Sequence, residues 1–247
     1  MEKQLINDGK RLDGRGAEDL RPLKIKARVL NGANGSAYVH WGKNKILAGV
    51  YGPRECIPKH EASPYTAIIR CRYNMAPFCS LEEHGKSGPS RRSIELSKVI
   101  KEVFENVIIA EAYPRTQIDI YIEVLQSDGG TRCAAITAAS VALADAGIPI
   151  KDLVSAVAVG KVGGEIVLDL SKDEDNFGES DMPVAFSRRN GEILLLQMDG
   201  RLTKEEIKKG LSMAQKACFK VSELQAEALR KVYEDRPQEG NALDLSL

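Results

Sequence analysis

QIDIYIEVLQSDGGTRCAAITAAS, residues Gln117 to Ser140, carries the clearest structural signal in the chain. Its first half alternates. Ile118, Ile120, Ile122 and Val124 share one face, so Gln117 to Leu125 is expected to be a half-buried strand. Asp128-Gly129-Gly130 then breaks the strand. Thr131 to Ala146 is apolar nearly all round, which predicts a buried helix. Gly147 and Pro149 stop it.

Upstream, Leu23 to Leu30 alternates, and Asn34-Gly35 is a turn signal. Ala37 to Trp41 and Ile46 to Tyr51 form an expected hairpin around Gly42-Lys43-Asn44. Ala67 to Tyr73 is a further strand. Leu96, Val99, Ile100, Val103, Phe104, Val107 and Ile108 then recur at helical steps, with Pro89 and Ser90 at the expected start. Downstream, strands are expected at Leu153 to Val159, Glu165 to Leu170, Met182 to Phe186 and Glu192 to Met198. A last helix opens with a capping box, Thr203 and Glu206, and has Ile207, Leu211, Ala214, Cys218 and Val221 as its inner stripe. Strands and helices intersperse with no linker. The expectation is one α+β domain over residues 1–247, mixed sheets packed with helices, with a polar arm at 1–20 and a frayed tail at 234–247.

The composition is globular: 43% apolar and 28% charged over 247 residues, which excludes disordered and collagen-like chains. Lys+Arg and Asp+Glu are both 35, so a generally basic, histone-like binder is excluded while a local basic groove is not. Cys56, Cys71, Cys79, Cys133 and Cys218 are scattered with no CxxC pair, which argues against a zinc ribbon and against a disulfide framework. No signal peptide and no membrane span are expected, and a cytoplasmic location fits best.

Three segments could carry chemistry. At Gln126 to Arg132 a strand ends, two glycines turn the chain and a helix begins. Its first amides and dipole suit an anion, with Thr131 and Arg132 adding a hydroxyl and a forked cation; the alternative is a plain turn with a surface arginine. The GxxxxGK[ST] spacing of a Walker loop is absent. Arg91 and Arg92 sit in the first turn of the other helix, where cations oppose the dipole. Either an anion compensates them or they are simply solvated. The acidic run Asp169 to Asp181 suits a hard cation. Within it Asp169, Asp173 and Glu174 are expected to be solvated, whereas Asp181 abuts a strand. His40, His60 and His84 form no cluster, and alternation separates Arg70 and Arg72 from Tyr73. Two arginine sites and a carboxylate cluster are the equipment of phosphoryl transfer.

The stretches RLDGRG (Arg11 to Gly16), GSAYV (Gly35 to Val39), SRRSIELSKVI (Ser90 to Ile100), DAGIP (Asp145 to Pro149), DNFGESDMP (Asp175 to Pro183) and Gln117 to Ser140 together resemble the RNase PH family, and within it the catalytic subunits of archaeal exosomes. The resemblance covers nearly the whole chain. It implies a single RNase PH-like domain in a hexameric ring, alternating with a homologous non-catalytic subunit and meeting RNA-binding cap proteins. It implies 3′-to-5′ phosphorolysis of single-stranded RNA, with inorganic phosphate as co-substrate and release of nucleoside diphosphates. A homohexameric tRNA-trimming enzyme and a non-catalytic ring subunit are the alternatives. By resemblance, phosphate falls to Arg92, Gly130, Thr131 and Arg132; Mg²⁺ or Mn²⁺ and catalysis to Asp175 and Asp181; RNA to Arg91 and Lys59, with Arg72 a further RNA candidate from its place on a strand beside Tyr73.

Overall fold

The structure is a computed structural model that describes residues 5–7, 10–80 and 90–234. Pro89, His84 and the tail beyond Glu234 lie outside the described residues. At the N-terminus, β1 (Ile6–Asn7) and β2 (Lys10–Arg11) pair antiparallel. β3 (Leu23–Ala27), β4 (Gly35–Trp41), β5 (Asn44–Glu55) and β6 (Ile68–Met75) follow, then helix α1 (Arg91–Glu105) and β7 (Thr116–Gln126). These five strands form one sheet in the order β3-β4-β5-β7-β6. Only β6 and β7 run parallel, and α1 is the crossover that parallel pairing requires.

Helix α2 (Thr131–Asp145) leads into the second sheet. That sheet contains β8 (Val154–Val162) and β9 (Glu165–Leu168) and, after the short helix α3 (Lys172–Phe177), β10 (Ser180–Ser187), β11 (Ile193–Leu196) and β12 (Asp199–Gly200). Its order is β11-β10-β8-β9, with β12 also on β10. Helix α4 (Lys204–Glu234) closes the described chain, and its start carries the expected capping box: Glu206 N–H donates to Thr203 Oγ1, and Thr203 N–H donates to Glu206 Oε2.

The all-round apolar character of α2 has a direct cause. The helix touches β4 and β5 on one side and β8 and β10 on the other, so it lies between the two sheets. One hydrophobic cluster runs from Val39, Ile46 and Ile122 through Ile136 and Leu143 to Val157 and Val184. The fold is α+β, with mixed sheets packed with helices. Among the described residues no helix is long and apolar enough to cross a membrane. All five cysteines are free, and four of them are buried.

One expectation is overturned. Asp169 and Glu174 are not solvated: they are 3% and 1% exposed. Asp173 alone of the three is exposed. The acidic run folds as α3 because Glu174 reaches back to accept from the Ser171 N–H at 2.8 Å, closing a capping box.

Candidate active site

The two glycines before α2 both take positive φ, 70° at Gly129 and 67° at Gly130. A Cβ at Gly129 would stand 2.6 Å from the Ser171 carbonyl carbon. Glycine therefore lets the loop lie against the start of α3. The loop's polar groups are held from behind. Asn44 donates to the Gly129 carbonyl at 2.6 Å and accepts from the Asp128 N–H at 2.6 Å. Arg21 donates to the carbonyls of Asp128 and Gly129. The start of α2 has no side-chain cap, so its first amides remain for an external acceptor. Tyr73 donates its hydroxyl to Thr131 Oγ1 at 3.0 Å, which leaves the Thr131 proton to point elsewhere.

A cavity of about 110 Å³ lies in front of this loop, lined by Gly129, Thr131, Arg92, Lys172 and Asp175 among others. Arg92 enters from the first turn of α1, close enough to Tyr73 to act against the rise in that hydroxyl's pKa that burial produces. Arg132 donates to the side-chain oxygen of Gln197, and its buried Nε has no partner. A buried donor without a partner, uncapped helix amides and two arginines fit an anion of phosphate size.

The acids face the same arginines. Burial raises Asp175 above the usual carboxylate range, while Arg92 and Arg132 act in the opposite sense. Asp181, near the start of β10, is pushed up to about 7 by burial first and then by Asp175. Asp199 adds to the repulsion, since β12 sets it opposite Asp181 in the antiparallel register. Asp181 Oδ1 is buried without a hydrogen-bond partner. Closely placed carboxylates with an unmet oxygen must take up a proton or a cation. The donor set fits Mg²⁺ or Mn²⁺, which bind through one or two carboxylates and complete their shell with water and substrate phosphate. Among the described residues no group of three or more His, Cys, Asp or Glu side chains is arranged as a metal cage.

Behind the site lies a buried ion network that sequence patterning missed. Arg11 holds Glu174 in a two-point grip, with Nε–Oε1 at 2.6 Å and Nη2–Oε2 at 2.5 Å. Arg21 holds Asp169 at 2.6 Å, and Trp41 donates to the same carboxylate at 2.9 Å. The network ties residues 11–21 to the loop before α2 and to α3, which carries Asp175.

The other candidates sit apart. Arg91 is exposed beside Arg92 on α1. Lys59, in a single 3-10 turn, pairs with Glu55 at 2.7 Å and does not line the cavity. Arg72 is on the sheet face opposite the buried Tyr73, in a separate hollow with Arg54 and Arg70, so within one subunit it does not join the cavity. Neither His40 nor His60 lines the cavity. Gln197 and Asp199 carried no signal in the sequence beyond polar residues placed at the end of an apolar strand.

The chain matches the family model of the 3′ exoribonuclease family, domain 1, over residues 19–149 and domain 2 over residues 152–217. An exosome complex component Rrp41 from Pyrococcus furiosus is 59% identical over 231 residues, 94% of this chain and 92% of that protein. A protein of the same name from Methanosarcina mazei is 56% identical over 235 residues, covering 95% of this chain; the chain spans about half of it, 47%. The crystal structure of rice (Oryza sativa) Rrp46 superposes with a TM-score of 0.80 at 26% identity, covering 89% of this chain and 100% of that one.

Proposed function

The chain belongs to the 3′ exoribonuclease family, and on that premise we propose that it is the catalytic, phosphate-dependent 3′-to-5′ exoribonuclease subunit of an exosome ring. The observation that carries the phosphate requirement is the uncapped start of α2 facing Arg92, with Arg132 beside it offering an unpartnered Nε.

Hydrogen phosphate attacks the terminal phosphodiester, and the bond from phosphorus to the 3′ oxygen breaks. A nucleoside diphosphate leaves, and the proton lost by the nucleophile balances the one gained by the 3′ oxygen. The nucleophile is already anionic at neutral pH, so no strong base is needed. The main barrier is repulsion between two anions. Arg92, which lines the cavity, the α2 amides and Arg132 at the start of the same helix offset it. Asp175 and Asp181 would hold Mg²⁺ or Mn²⁺, which supplies charge neutralisation on the scissile phosphate. Assayed with single-stranded RNA, the assembled protein is expected to release nucleoside diphosphates only when phosphate is present. Monophosphates released in phosphate-free buffer would instead show hydrolysis.

The partner in this reading is a homologous non-catalytic subunit of a six-membered ring, with RNA-binding cap proteins above it and a cytoplasmic setting. Relatives named as exosome components support it. A neutral single chain attracts RNA weakly at long range, whereas a ring brings several copies of Arg91 and Lys59 to one channel. The isolated chain is therefore expected to show little phosphorolysis and to gain it on mixing with the partner, with steep loss of RNA binding as salt rises. Light scattering and assay of the chain alone decide this; a fully active homohexamer would refute it.

A further inference from the structure

Three arginines near the site differ in what meets them: Arg11 and Arg21 are buried, and Arg132 is half-buried. Arg11 and Arg21 are met by carboxylates, Glu174 and Asp169, and their charge is spent within the fold. Arg132 is met by an uncharged amide: Nη1 donates to the side-chain oxygen of Gln197. Its Nε is buried and unpartnered, and among the described residues Arg132 has no salt bridge. An amide oxygen and a carboxylate oxygen accept the same hydrogen bond, but only the carboxylate cancels the charge.

We propose that Gln197 is a positioning residue for the phosphate co-substrate: it holds one edge of the Arg132 guanidinium without adding a further negative charge beside it, and leaves the Nε–H to the incoming anion. Gln197 is itself held in place. Its N–H donates to the Pro183 carbonyl on β10 at 3.2 Å, two residues beyond Asp181. Two residues after Gln197, Asp199 pairs in register with Asp181. One pair of chain segments therefore sets both the phosphate arginine and the acid, so the two keep their spacing.

This inference rests on Arg132 being a phosphate ligand, and the test separates the two. Gln197→Glu and Gln197→Ala are compared in the assembled protein, with Arg132→Ala as the control for the parent reading. KM for inorganic phosphate, KM for RNA and kcat are measured, with phosphate binding by calorimetry in the absence of RNA. Gln197→Glu keeps the hydrogen bond and cancels the charge, so it is expected to raise the phosphate KM by about tenfold or more. The RNA KM and the kcat at saturating phosphate should stay within a few-fold. Gln197→Ala frees the guanidinium and should raise the phosphate KM by a smaller factor. A merely structural glutamine would give the opposite order, with alanine worse than glutamate and all three constants moving together; that result overturns the proposal. Should Gln197→Glu fail to fold, Gln197→Ala decides alone, through a selective rise in phosphate KM or its absence. An unchanged phosphate affinity in Arg132→Ala would overturn the parent reading; a raised one, with both Gln197 variants unaffected, overturns this inference only.

Discussion

Asp181→Ala is expected to lower turnover by about 10²-fold or more while leaving RNA binding within a few-fold. The carboxyl sits near the start of β10 with Oδ1 buried and unpartnered, facing the electrostatic field of Arg132 and Arg92. Nothing in the described structure leans on that oxygen, so its removal costs chemistry rather than fold. Gel shift and product analysis on one preparation decide this, and turnover preserved within a few-fold would make Asp181 a bystander. Stability should move the other way. Burial and Asp175 raise the folded-state value from 3.8 to about 7. A raised carboxyl favours folding while it is protonated, and this advantage is lost as pH climbs from 3.8 toward 7. Above that window the native state holds a carboxylate it disfavours. In chelator at pH about 8, Asp181→Asn should therefore be more stable than the parent, by roughly 1–3 kcal/mol. Urea unfolding of the two proteins reads the difference.

Glu174→Ala is expected to destabilise the fold by about 3–5 kcal/mol, because it strands the Arg11 guanidinium in the interior without its partner. Replacing both partners together by apolar residues of similar volume should cost much less, since the cost lies in the orphaned charge. The wild-type pair also makes a pH prediction. Burial by itself would raise the Glu174 carboxyl, but Arg11 and the Ser171 N–H override it and bring it down to about 2 from 4.5. A depressed carboxyl contributes stability that is complete above 4.5 and is lost as pH falls toward 2. Thermal unfolding followed from pH 6 to about 2 should show a steep loss in the parent and a shallower one in Glu174→Ala. Parallel curves would mean that other carboxylates govern acid unfolding. Because Glu174 and Asp175 share α3, the same variant should also lose turnover at temperatures where it remains folded.

The neutral overall charge hides how unevenly the charges are spent. Arg11, Arg15 and Arg21 come from the first 21 residues and close on Asp169 and Glu174, far along the chain. Between them they grip the carbonyls of the loop before α2 and Glu174 on α3. In the proposed reading, Arg92 and Arg132, which enter from the starts of two helices, serve the substrate. Charge cancelled in one shell thus steadies charge kept available in the next.

Much of this protein was legible in its linear sequence. Period-two alternation marked Thr116–Gln126 and the β4–β5 hairpin, and an all-round apolar run marked α2. Gly129-Gly130 marked the turn before that helix, and Asp181 lies near the start of β10, as its place in the sequence suggested. Those features are local: a few neighbouring residues determine which face is apolar, or whether φ must be positive. The polar interior was not legible. Arg11 and Glu174 are 163 residues apart, Arg21 and Asp169 148, and Arg132 and Gln197 65. A charged side chain reads the same in sequence whether water or a distant partner solvates it, so Asp169 and Glu174 passed for surface acids. Only the packing of two sheets around α2 decided which charges were buried in pairs and which were not. Burial is what makes an unpaired charge costly enough to require a partner.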